Sequence, residues 1–212
     1  MSCWLKGLIG LAAGLVAFSA SALADSDPVN SPRRDTRFAV EYGTSLPPLG
    51  FVDFCRRDPS DCDAGEGSAA RAAISTKSWR MLQMVNVTVN GAIAPVDDET
   101  LYGTAEYWTV PTDAWDCEDV ALLKKKQLED AGFPAASLRL TVVLDEQGEG
   151  HAVLTVSTTR GDYILDNRRN DIRLWSRTGY TLLKRQSADN PRRWMALAPV
   201  KASSKAGETA SK

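Results

Sequence analysis

Three residues in this sequence combine the types and order needed for nucleophilic acyl transfer: Cys117, His151 and Asp166. A cysteine attacks as its thiolate, and an ordinary cysteine holds its proton up to a pKa of about 8.5. Cys117 opens a segment with helical patterning, and a helix start carries unpaired N–H groups and roughly half a positive charge. Both favour the thiolate, and the same N–H groups suit the oxyanion of a tetrahedral intermediate. His151 is the single histidine of the chain. It can take the thiol proton and return it to a leaving amine. Asp166, one strand further on, can fix its tautomer. Trp108 is a candidate second oxyanion donor. Each residue has a bland reading as well: a buried inert thiol, a surface histidine and a turn aspartate. Their joint order favours chemistry.

The cysteine count bears on Cys117. There are four cysteines, at 3, 55, 62 and 117. Residues 1–24 read as a secretory signal, with Lys6 before an apolar run and Ala22-Leu23-Ala24 as cleavage signature. The run is short for a span of roughly 20 residues. Cys3 would leave with this segment. Cys55 and Cys62 bracket a polar, turn-rich loop and are expected to pair as a disulfide, since a short ring closes at little cost. A metal site there would lack a nearby histidine and a second cysteine pair. Cys117 is then the odd thiol. The destination is periplasmic or secreted.

Removing 24 of the 212 residues leaves 188, enough for one domain with a sizeable core. The 25 basic residues become 24 when Lys6 is lost, against 27 acidic ones. This balance gives no electrostatic basis for nucleic-acid binding, and no second run predicts membrane insertion after signal removal. The expected organisation is signal (1–24), extended lead-in (25–37), domain (38–200) and a polar, disordered tail (201–212).

The elements that must position the three residues follow from periodicity. Helical patterning runs from Gly67-Ser68 to about Val89, although Val85 to Val89 also alternates like a strand. A helix is predicted over about Cys117–Ala131, with acids in its first turn, Lys124 to Lys126 later, and Gly132 and Pro134 ending it. Strands are predicted at Leu138–Leu144, His151–Ser157 and Tyr163–Leu165, with shorter ones at Phe38–Tyr42, Tyr180–Leu183 and Trp194–Leu197. Leu46–Phe51 reads as loop. Helices followed by an antiparallel meander give an α+β class. His151 and Asp166 flank one hairpin, near enough to be cross-strand neighbours.

Several runs together resemble the bacterial transglutaminase-like cysteine peptidases, which include the LapG-type periplasmic proteases. They are Tyr107 to Pro111, Asp116-Cys117-Glu118-Asp119, Gly150 to Leu154, Ile164 to Asn167, and the loop with Phe54, Cys55, Pro59 and Cys62. The resemblance spans about Phe38 to Trp194. It implies a papain-like, transglutaminase-like core with the nucleophile at a helix start packed on an antiparallel sheet. It implies Cys117, His151 and Asp166 as the triad and a protein substrate such as a surface adhesin. It also implies an inhibitory membrane receptor as partner, and calcium held by Asp116 and Glu118, with Asp119 a weaker ligand. Calcium favours hard oxygen ligands; alternatively Asp116 caps the helix and Glu118 complements its dipole. Two other readings stay open: acyl transfer to an amine by the same triad, and a calcium-dependent binding or adaptor domain with an unreactive Cys117.

Overall fold

The computed structural model describes residues 37–63, 70–92, 96, 98–104, 106–111 and 116–197. The signal, most of the lead-in, the tail and the Gly67-Ser68 helix start lie outside these residues. The described chain runs β1 (Thr44–Ser45), α1 (Leu49–Arg57), a 3-10 turn (Pro59–Cys62), α2 (Thr76–Ala92), α3 (Asp98–Tyr102) and α4 (Cys117–Asp130). The strands β2 (Leu138–Leu144), β3 (Gly150–Thr158), β4 (Gly161–Asp166), β5 (Arg169–Leu174), β6 (Thr181–Gln186) and β7 (Trp194–Ala196) follow. They form one sheet in the order β1-β7-β6-β2-β3-β4-β5, with every named pair antiparallel. The α+β class is as expected.

The sheet buries one face against helices. Leu138, Leu140 and Val142 of β2 alternate onto the side where Phe51, Phe54, Leu82, Val85, Leu128 and Trp194 pack. The opposite face carries a smaller apolar group of Val143, Val153, Ile164 and Leu182. Next to it lies a buried ionic cluster. Arg185 bridges Asp162 at 2.7 Å and Glu41 at 2.9 Å, and Arg139 meets Glu41 at 2.8 Å.

α4 follows its sequence signals. It starts at Cys117 and stops where Gly132 takes φ +88°. The Phe133 N–H then returns to Leu128 O at 2.9 Å, which satisfies an end carbonyl. Lys124 of the late basic run does not reach solvent. It is fully buried and donates to Asn86 Oδ1 of α2 at 2.7 Å. The 85–89 stretch is helical, with Leu82, Val85, Asn86 and Val89 on its buried face.

Three expectations are corrected. Leu46–Phe51 is not all loop, because α1 begins at Leu49 directly after Pro48. Gly50 lets this helix approach closely, since a Cβ there would collide with the Trp108 ring. Phe38–Tyr42 is not a strand. It is a strap tied by Ala39 N–H to Asp162 Oδ2 at 3.0 Å and by Tyr42 N–H to Ala196 O at 2.9 Å, and the paired strand is β1. β5 was not expected; it is a polar edge strand beyond β4. The Cys55–Cys62 disulfide is present, joining α1 to the 3-10 turn across 5.6 Å between Cα atoms.

Candidate active site

His151 and Asp166 meet because of strand register. The β3–β4 ladder pairs Thr158 with Gly161 and ends at Leu154 with Leu165. Continuing that register, Asp166 stands opposite Val153, so His151 is its diagonal neighbour, two residues along on the same face. Both side chains are buried, and His151 Nε2 lies 2.9 Å from Asp166 Oδ1.

The carboxylate of Asp166 is held on every side. Oδ1 also accepts the Arg168 N–H at 3.0 Å, and Oδ2 accepts the Tyr180 hydroxyl at 2.6 Å. Asn90 of α2 donates to the Asp166 carbonyl at 2.9 Å. Burial alone would raise the carboxyl pKa. The hydrogen bond and charge of His151, with the Tyr180 and Arg168 donors, outweigh it and hold the group at about 2. Asp166 is therefore a carboxylate at any ordinary pH, as an orienting partner of imidazole must be.

Cys117 arrives from the other side, at the first position of α4, which packs on β3. Its Sγ accepts the N–H of Ala152, the residue after His151, at 3.3 Å. The sulfur is thus brought to the start of β3, at the backbone one residue along from the histidine. No cysteine among the described residues is free. A nucleophilic role needs the reduced form. Trp108, offered as an oxyanion donor, turns its indole N–H to Glu106 Oε2 at 3.3 Å, and its ring packs against Phe51 and Trp194.

The acidic neighbours of Cys117 divide into two overlapping groups. Asp116, Cys117 and Glu118 form one, with Glu118 Oε2 3.3 Å from Cys117 Sγ. Asp98, Asp116 and Asp119 form the other, each offering an oxygen within 4.8 Å of the rest. Asp116 sits at the N-cap position, yet its carboxylate makes no capping hydrogen bond. Asp119 is fully buried; Oδ1 accepts Thr109 N–H at 2.7 Å and Oδ2 has no hydrogen-bond partner among the described residues. Burial, with Asp116 and Asp98 close by, pushes its pKa to about 8 against the pull of Thr109 N–H and Arg57. Burial, then the hydrogen bond and charge of Asp116, push Glu118 well above the usual range. Asp98 was missed in the sequence. It lies in a different helix, and only its acidic surroundings in the chain hinted at it.

The Cys55–Cys62 helix contributes to this corner through Arg57. Its guanidinium donates to Trp108 O at 2.6 Å and stacks over the Tyr107 ring at 4.0 Å. Tyr107 N–H in turn donates to Asp98. The 107–109 segment is therefore clamped between Arg57 and two acids, Asp98 of α3 and Asp119 of α4.

No helix among the described residues is long and apolar enough to cross a membrane. The disulfide suits an oxidising compartment. No curated protein sequence matches the chain. Among solved structures it is similar to Legionella pneumophila LapG in a calcium-bound form, at 25% identity and TM-score 0.49, over 60% of this chain and 72% of that one. The EGTA-treated form of that protein gives 25% identity and TM-score 0.49 over 57% and 68%. A further LapG structure gives 25% identity and TM-score 0.46 over 52% and 64%, so less than two thirds of that chain is spanned. The model of the family described as bacterial transglutaminase-like cysteine proteinase BTLCP matches residues 41–202. With a helix-borne cysteine packed on an antiparallel sheet, the chain belongs to the bacterial transglutaminase-like cysteine proteinases.

Proposed function

We propose that this protein is an exported cysteine endopeptidase that cleaves a protein substrate with Cys117 as nucleophile, His151 as base and then acid, and Asp166 as the group that orients the imidazole. The observation that carries the reading is the buried His151–Asp166 pair at 2.9 Å, with Cys117 Sγ on the very next N–H of the same strand at 3.3 Å. In the reduced chain without residues 1–24, His151 accepts the Cys117 proton and the thiolate attacks the scissile carbonyl. N–H groups at the start of α4 face the developing oxyanion. His151 then protonates the leaving amine, and water attacks the thioester to restore the thiol.

Asp98, Asp116 and Asp119 would hold a calcium ion, with Glu118 adjoining. The donor set fits: three hard carboxylates converge in a buried corner, and Asp119 Oδ2 is buried without a donor among the described residues. Calcium would supply the positive charge that lets these acids ionise together beside α4. This revises the ligand pair expected from sequence by adding Asp98 and placing Asp119 ahead of Glu118.

The substrate class is an exported protein, and surface adhesins are the class the family resemblance favours, with a membrane receptor as regulator. The site of action is the periplasm or the exterior. The test uses a chain beginning at Asp25, reduced and supplied with calcium, and an adhesin fragment. Mass spectrometry should show backbone cleavage by the wild type and none by Cys117→Ala. Amine incorporation at glutamine without cleavage would instead identify an acyl transferase.

A further inference from the structure

The triad accounts for one oxygen of Asp166; the other is held by Tyr180, which no sequence motif singled out. We propose that Tyr180 is a positioning residue of the peptidase, its hydroxyl fixing the Asp166 carboxylate and its ring walling the His151 imidazole. The inference rests on the triad reading above.

Tyr180 donates its O–H to Asp166 Oδ2 at 2.6 Å while His151 Nε2 and the Arg168 N–H use Oδ1. The terminal torsion of an aspartate is soft, with a broad two-fold profile. Donors on both oxygens therefore define the plane in which Oδ1 faces the histidine. The Tyr180 ring stands edge-on to the imidazole, with centroids 5.8 Å apart and planes at 83°. One side chain thus touches both members of the pair. Burial, then the Asp166 hydrogen bond and charge, push the Tyr180 hydroxyl up to about 12, so it remains a donor through the neutral range.

The surroundings hold Tyr180 in place. Its N–H donates to Thr178 Oγ1 at 3.1 Å, and that hydroxyl donates to Trp175 O at 2.8 Å. Gly179 turns with φ +86°, and a Cβ there would press on Glu146. Arg169 lies 6.0 Å from the ring centroid and is ion-paired with Glu146. The residue comes from the segment before β6, whereas His151 and Asp166 come from β3 and β4. It ties a third element to the pair.

The experiment compares wild type with Tyr180→Phe, which keeps the ring and removes the hydroxyl. We expect kcat to fall about 10-fold, the scale of a lost hydrogen bond to a charged group, with KM unchanged because Tyr180 positions the pair and not the substrate. The chain has one histidine, so its low-field imidazole N–H resonance is unambiguous. It should move in Tyr180→Phe as Asp166 loses a competing donor. Should that variant not fold, 3-fluorotyrosine at position 180 keeps the shape and strengthens the donor, and it should shift the same resonance. Unchanged kcat with an unmoved resonance would overturn the proposal. If the wild type cleaves nothing, the peptidase reading fails, yet the resonance still reports whether Tyr180 acts on the histidine–aspartate pair.

Discussion

The two halves of the site are built differently. In the sheet half both oxygens of Asp166 are held, Oδ1 by His151 and the Arg168 N–H and Oδ2 by Tyr180, and its backbone carbonyl is tied by Asn90. The helix half, Cys117 and its acids, gathers carboxylates whose charges oppose one another, and Asp119 Oδ2 is buried with no donor among the described residues. Neighbouring strands can fix a pair by register alone. At the helix start, burial and neighbouring acids hold Asp119 and Glu118 above the ordinary carboxylate range. The sheet half is preorganised by the chain, and the helix half is the part that the proposed calcium ion would complete.

The largest test of this contrast is substitution within each half. Cys117→Ala should reduce cleavage by about 10⁴-fold or more. Asp166→Asn should cost about 10²- to 10⁴-fold with or without added calcium, because it misorients the imidazole. Chelation should act on the helix half alone, lowering both activity and melting temperature, with calcium restoring them. Asp98→Asn should raise the calcium needed for half-maximal activity by at least about 10-fold. Calcium titrations that Asp98→Asn leaves unmoved would remove Asp98 from the site.

Smaller effects appear in pH dependence. Asp166 is held at about 2 in the fold against about 3.9 in an unfolded chain. Its contribution to stability is present above about pH 4 and is lost as pH falls through about 2. Urea midpoints for Asp166→Asn should therefore fall less steeply than wild type over that acid window. Lys124 gives the opposite sign. Burial lowers it to about 7, against about 10.4 unfolded, so its cost is full below pH 7 and fades as pH rises. Stability should climb between about pH 7 and 10, and Lys124→Met should flatten that climb.

Legibility in the sequence followed the same division. β2, β3 and α4 were readable because their apolar periods and the Gly132-Pro134 stop are local signals. The His151–Asp166 meeting was readable because a two-residue hairpin leaves little choice of register. The Cys55–Cys62 pair was readable from loop length. α1 was hidden because Pro47 and Pro48 read as loop, although a helix can begin immediately after proline. β5 was hidden because an edge strand of Arg169, Asn170 and Asp171 carries no apolar alternation. Asp98, Lys124 and Tyr180 were hidden for one shared reason: their roles depend on contacts between separate elements, and no spacing along the chain encodes those.

The central claim is that Cys117 is a nucleophile activated by the histidine–aspartate pair. Its most direct measurement is the rate of iodoacetamide alkylation of a mildly reduced chain beginning at Asp25, followed against pH for wild type and His151→Ala, with the modified cysteine identified by mass spectrometry. The account predicts rapid alkylation of Cys117 well below the ordinary thiol pKa of about 8.5, lost in His151→Ala. A wild-type profile that follows an ordinary thiol, and that His151→Ala leaves in place, would contradict it.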